Sequence, residues 1–102
     1  MIKVFDKAQW QIDNGISSET VLKHFINMFE WLMEKNYLSS DGKEVLELGL
    51  DSSISLNEKM LTTEGIEFLD KYYDKFIEQT QYEVNLELYM LEKYHQEYLN
   101  EK

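Results

Sequence analysis

The residues of this chain that could do chemistry are carboxylates, two histidines and scattered hydroxyls. Glu92-x-x-His95 has the i, i+3 spacing by which one helix face presents a carboxylate and an imidazole to a metal pair. Carboxylate-bridged sites of that kind need the motif twice, plus two further Glu. The other histidine, His24, is preceded at the corresponding positions by Thr20 and Val21, so the second copy is missing and no metal is expected. There is no cysteine, which excludes disulfides, thiolate catalysis and Cys-ligated zinc or iron–sulfur sites. No serine stands in a nucleophile-elbow glycine motif, and no Gly-rich loop offers a phosphate cradle. The expectation is a protein that is not an enzyme and carries no cofactor.

The carboxylates are better suited to binding. Asp and Glu number 20 against 10 Lys and no Arg, for a formal charge of -10. Nucleic-acid readers neutralise phosphates with Lys and Arg and read guanine with an Arg fork, so no nucleic-acid partner is expected, and an anionic membrane surface is disfavoured alike. An acidic domain instead steers basic proteins toward itself. The acids are uneven: residues 1–50 hold five Lys against eight acids, and residues 51–102 five against twelve.

Two acidic rows stand out in the second half. On a helical wheel Glu83, Glu87, Glu97 and Glu101 share a stripe with Met90 and Tyr94 between them. Glu67, Asp70, Asp74 and Glu78 form the other, interrupted by Lys71 and Lys75. Like charges at i, i+4 cost about 0.2–0.5 kcal/mol per pair, so helix energetics alone do not favour such rows. A rim of carboxylates around a Met and a Tyr matches a basic protein partner with an apolar anchor. Partner binding is therefore expected at Glu83, Glu87, Met90, Tyr94 and Glu97, assisted by Glu67, Asp70 and Asp74.

The elements that position these residues are read from periodicity. The four glycines, Gly15, Gly42, Gly49 and Gly65, lie where the apolar pattern resets, marking joints between helices. A helix is predicted from about Ile2 to Asp13. The next runs from Ser17 or Ser18 to about Lys35, with Val21, Leu22, Phe25, Met28, Phe29 and Leu32 as a stripe that Ile26, Trp31 and Met33 widen. A short helix capped by Ser40 or Asp41 buries Val45, Leu46 and Leu48. Ile54-Ser55-Leu56 alternates, compatible with a tiny hairpin or an irregular loop over 54–61. A helix follows from Thr62 or Thr63 to about Gln79. The last, about 81–100, repeats Val84, Leu88, Leu91, His95 and Tyr98 at heptad spacing, a seam for self-association as a homodimer.

The whole chain, 1–102, reads as one all-α domain or bundle of four or five helices, with a short β-hairpin near 54–61 as a variant. The N-terminus lacks a secretory signal and no apolar run is long enough to span a bilayer, so a cytoplasmic protein is expected. Trp31-Leu-Met-Glu-Lys-Asn-Tyr-Leu38 and the later Met60-Leu-Thr-Thr-Glu-Gly-Ile-Glu-Phe-Leu69 resemble the helix end and Leu-Thr-x-x-Gly helix start of winged-helix proteins. That resemblance, over roughly 40 residues, implies a wing at 54–61 and a C-terminal dimerisation helix. The element in the recognition position, Ser40–Leu48, has one Lys against three acids, which turns the shape toward protein rather than DNA. By size and acidity the chain is also comparable to immunity proteins and small inhibitors.

Overall fold

The computed structural model describes residues 2–101; Met1 and Lys102, which the single-domain expectation includes, lie outside them. The chain runs β1 (Val4–Lys7), α1 (Ala8–Asp13), α2 (Ser18–Glu34), α3 (Ser40–Leu48), β2 (Ser55–Asn57), a 3₁₀ turn (Glu58–Met60), α4 (Thr63–Gln79) and α5 (Val84–Asn100). It is a small helical domain with one two-stranded antiparallel sheet. No helix among the described residues is long and apolar enough to cross a membrane.

The alternating fragment at 54–57 does form a strand, but its partner is the N-terminus. Asp6 pairs with Leu56 and Lys7 with Ser55, with a bulge between Val4 and Asp6. The expected helix from Ile2 therefore starts only at Ala8, and residues 4–7 are extended. Val4 and Phe5 suit a strand, and Leu56 is fully buried between β1 and the core. The wing implied for 54–61 does not fold back on itself. After β2 the chain tightens into the 3₁₀ turn, and Leu61 bridges to Leu38.

Helix starts follow cap chemistry. Ser17 accepts from the Thr20 N–H, Ser39 from the Gly42 N–H and Thr62 from the Gly65 N–H. The cap of α3 is thus Ser39, one residue before the expected pair; its hydroxyl also donates to the Lys59 carbonyl at 2.5 Å, which ties it down. α2 ends where Asn36 takes a left-handed φ of 64°, a conformation that Asn tolerates. Between α4 and α5 another left-handed residue, Tyr82 (φ 60°), sets the start of the last helix at Val84 rather than 81.

The core is formed mainly by α2, α4 and α5. Phe25, Phe29 and Leu32 of α2 meet Phe68, Leu69 and Phe76 of α4, all at most 2% exposed. α5 closes this core with aromatic pairs: Tyr94 stacks on Tyr72 at 5.5 Å and Tyr98 meets Phe68 edge-on at 5.6 Å.

The glycines divide into two kinds. Gly15 and Gly49 end helices with φ of 96° and 100°. Gly42 and Gly65 lie inside the first turns of α3 and α4, where a Cβ would stand 2.3 Å from the Met60 carbonyl oxygen and 2.8 Å from that of Tyr37. Close backbone approach, not a joint, requires them. Gly42→Ala should therefore lose about 1–3 kcal/mol through overpacking against backbone, and Gly49→Ala, with open space around it, should lose about 1–3 kcal/mol because its φ of 100° and ψ of 146° are nearly confined to glycine. Urea denaturation of both variants measures each loss.

Candidate functional site

The acidic face expected on α5 does not exist as one surface. Glu83 is the N-cap, its carboxylate accepting from the N–H groups of Asn85 (3.1 Å) and Leu86 (2.6 Å). Glu87 is 1% exposed and sits against His24 of α2, Oε2 to Nδ1 at 2.5 Å, while the Thr80 hydroxyl donates to the same oxygen. Met90 and Tyr94 are 7% and 8% exposed, inside the core. Glu97 alone of that set remains a solvated carboxylate beyond the cap. The physical reason is rotation. The buried face of α5 is Glu87, Met90, Leu91, Tyr94 and Tyr98, so the residues read as an apolar centre of a surface are the helix's contribution to the core.

The same rotation undoes the heptad seam. Leu91 is 2% exposed, against its own core. His95 is half-buried, with Nε2 2.9 Å from the Tyr37 hydroxyl, and burial pushes its imidazole below the ordinary range. Glu92, the other half of the spaced motif, accepts from the Trp31 indole at 2.7 Å and pairs with Lys35 at 2.9 Å, which hold its carboxyl down. Val84 (42% exposed) and Leu99 (45%) remain outside, with Leu88 half-buried between them.

The α4 row survives as a surface. Glu67, Asp70, Asp74 and Glu78 are all exposed at spacings of three and four. The last turn of α5 joins it: Glu101 binds Lys71 and accepts from the Tyr72 hydroxyl at 2.7 Å, and Tyr98 reaches Glu67 at 3.4 Å. The Glu101 carboxylate pushes the Tyr72 phenol up to about 12. Asp70 pairs with Lys3 at 2.5 Å. Glu67, Glu97 and Glu101 thus lie on the α4 side of the molecule, whereas Glu83 and Glu87 do not. Met90 and Tyr94, the apolar residues expected at the centre of an acidic surface, are buried and take no part in this wall.

Exposed apolar side chains and carboxylates do line one groove together elsewhere, between α2 and α3. Ile26, Glu30 and Met33 on one helix face Lys43, Leu46 and Glu47 on the other, and Leu50 closes the end. The open groove holds about 540 Å³. Ile26 (37%) and Met33 (44%) are exposed, and Leu48, expected inside, is 78% exposed on α3. In the sequence Ile26 and Met33 register only as widening the apolar stripe of α2, which does not by itself mark a groove. The signal was present: Ile26 and Met33 are seven apart, one face of α2, with Glu30 between them.

A second cluster is buried. Asp6 of β1 accepts from the Gln11 amide and the Tyr73 hydroxyl, and from the Lys7 N–H at 2.8 Å. Burial pushes the Asp6 carboxyl up, against the pull of those bonds, and pushes the Tyr73 phenol well above its ordinary value. His24 stacks on Phe76 at 5.9 Å. No sequence pattern marked Asp6 or Gln11.

No protein-family model matches the chain, and no curated protein or solved structure shows significant similarity to it. Function must be argued from the surfaces themselves. The His24–Glu87 pair is testable directly: Glu87→Ala leaves a buried imidazole without its partner and should cost about 3–5 kcal/mol, while His24→Phe combined with Glu87→Leu should recover much of that loss. Urea unfolding of the single and double variants reads both.

Proposed function

We propose that this chain is a non-enzymatic protein-binding module of the immunity or inhibitor kind, acting in the cytoplasm on a basic protein partner. The observation that carries this reading is the α2–α3 groove, lined by the apolar Ile26, Met33, Leu46 and Leu50 together with Glu30 and Glu47. Its occupant is an amphipathic basic segment of the partner. The apolar side of that segment fills the groove, and its Lys or Arg side chains meet the rim. The rim has one cation of its own, Lys43, against those two carboxylates. The row of Glu67, Asp70 and Asp74, with Glu97 beside it, adds to the long-range field that steers a cationic partner. Glu87, Met90 and Tyr94 have no part in the surface.

The test is a titration of the labelled protein with a helical peptide carrying Leu anchors at three and four spacing and Lys elsewhere, beside the same peptide with Glu for Lys. The basic peptide should shift amide resonances on α2 and α3, and its association rate should fall about tenfold or more as salt rises from about 50 to 500 mM. Met33→Asp should weaken it about tenfold, equivalent to about 1.4 kcal/mol. Equal binding of the acidic peptide, or shifts confined to other elements, would overturn the reading.

A second reading rests on the outer strip of α5, where Val84 and Leu99 are close to half-exposed and Leu88 lies between. There the chain is a homodimeric module of winged-helix-like shape, paired through its C-terminal helix. Because Leu88 also packs on the core, Val84→Asp with Leu99→Asp is the informative variant. Sedimentation should give a dimer for the wild type and a folded monomer for the variant. Monomers in both eliminate this second reading.

A further inference from the structure

We infer that the cavity between the β1–α1 corner and α4 binds an organic ammonium group. The cavity holds about 390 Å³, within the range of small-ligand sites. Asp6, 5% exposed, and Gln11, 6% exposed, line it together with the aromatic residues Trp10, Tyr82 and Phe5.

Three independent features select a cation. The first is the count of buried charge: the interior behind the cavity holds two carboxyls, Asp6 and Glu87, against one imidazole, His24, so at most one carboxylate is matched. His24 is turned toward Glu87, and Asp6 is held by neutral donors only in the bonds that reach it from Gln11, Tyr73 and the Lys7 backbone. The second is an acceptor without a donor. Gln11 lines the cavity, and its Oε1, buried, has no hydrogen-bond partner among the described residues, a costly state that an N–H donor displacing its cover would relieve. The third is the aromatic wall. The Trp10 ring already takes an ammonium, the Nζ of Lys7, at 5.7 Å from its centroid, and its indole remains 48% exposed. A carboxylate, a spare amide oxygen and ring faces suit the donors and charge of an alkylammonium; an anion would meet Asp6, and a neutral apolar molecule would leave the polar groups as they are.

The ammonium could belong to a free aromatic amine or to a lysine side chain, and the probes separate these. The Trp10 indole and Gln11 side-chain amide resonances are followed at neutral pH while the intact protein is titrated with 2-phenylethylamine, with its neutral isostere 2-phenylethanol, and with Nα-acetyl-lysine methylamide. A saturable shift with the amine, at least about tenfold weaker with the alcohol, is the expected result. Tighter binding of phenylethylamine than of the lysine derivative assigns the site to a small aromatic amine, and the reverse to a peptide lysine. Asp6→Asn should weaken whichever amine binds about tenfold or more. Equal shifts with amine and alcohol, or no saturable shift with either amine, overturn the inference. That comparison is made on the wild-type chain, so it holds even if Asp6→Asn does not fold.

Discussion

A carboxylate and an imidazole shut inside an apolar core need each other, and the pairing of Glu87 with His24 governs how the second half of this protein is arranged. Each group is at most 2% exposed, so neither has water to fall back on. Bringing them together sets the rotation of α5 against α2. With Glu87 turned inward, Met90, Leu91, Tyr94 and Tyr98 turn inward with it at helical spacing. The α4–α5 joint answers to the same pair. Thr80 donates to Glu87 and also accepts from the Tyr82 N–H at 3.1 Å, and the Tyr82 ring lies edge-on to His24 at 5.3 Å. A residue in a left-handed conformation is thereby held by contacts on both sides.

Much of the helical layout was legible in the sequence, because α2 and α4 carry dense apolar stripes and start at Ser or Thr pairs that place each cap to within one residue, with Ser17 and Thr62 as the caps formed. What was not legible came from two sources. α5 has apolar residues around most of its circumference, including Val84, Leu86, Leu88, Tyr89, Met90 and Leu99, so periodicity does not choose its inner face. A heptad through Val84 and a face through Glu87 differ by a fraction of a turn, and the choice between them lies with His24, 63 positions away. The clue was that His24 sits among Val21, Phe25 and Met28 on the buried stripe of α2, where an imidazole requires a partner. The N-terminal strand was obscured for a similar reason. Val4-Phe5-Asp6 is too short to declare a period, and its pairing partner is β2, across the whole α1–α3 segment.

The candidate surfaces follow from the same rotation. Once α5 commits its Met and Tyr residues to the core, the α4 row and the end of α5 retain charge but lose any apolar centre. Exposed pairs such as Lys3–Asp70 contribute little stability, so that wall is an electrostatic surface rather than a structural one. Apolar area in search of cover is instead left on α2 and α3. Ile26, Met33 and Leu48 are large side chains whose exposure does nothing for the monomer, and Ile26 and Met33 line the groove with Glu30 and Glu47.

In the function proposed above, these two surfaces would divide the work of association as physics divides it. Charges in water act over about 8–10 Å and fade with salt, so they set the rate at which a basic partner arrives. Desolvated apolar contact acts only on arrival and sets how long the partner stays. A groove of about 540 Å³ accommodates a few side chains and not a whole interface, so the residence time depends on one or two anchors seated between α2 and α3. With a net charge of -10 behind them, those anchors need not be large for capture of a basic partner to be selective, because an acidic competitor is repelled and a basic partner attracted before apolar residues reach the groove.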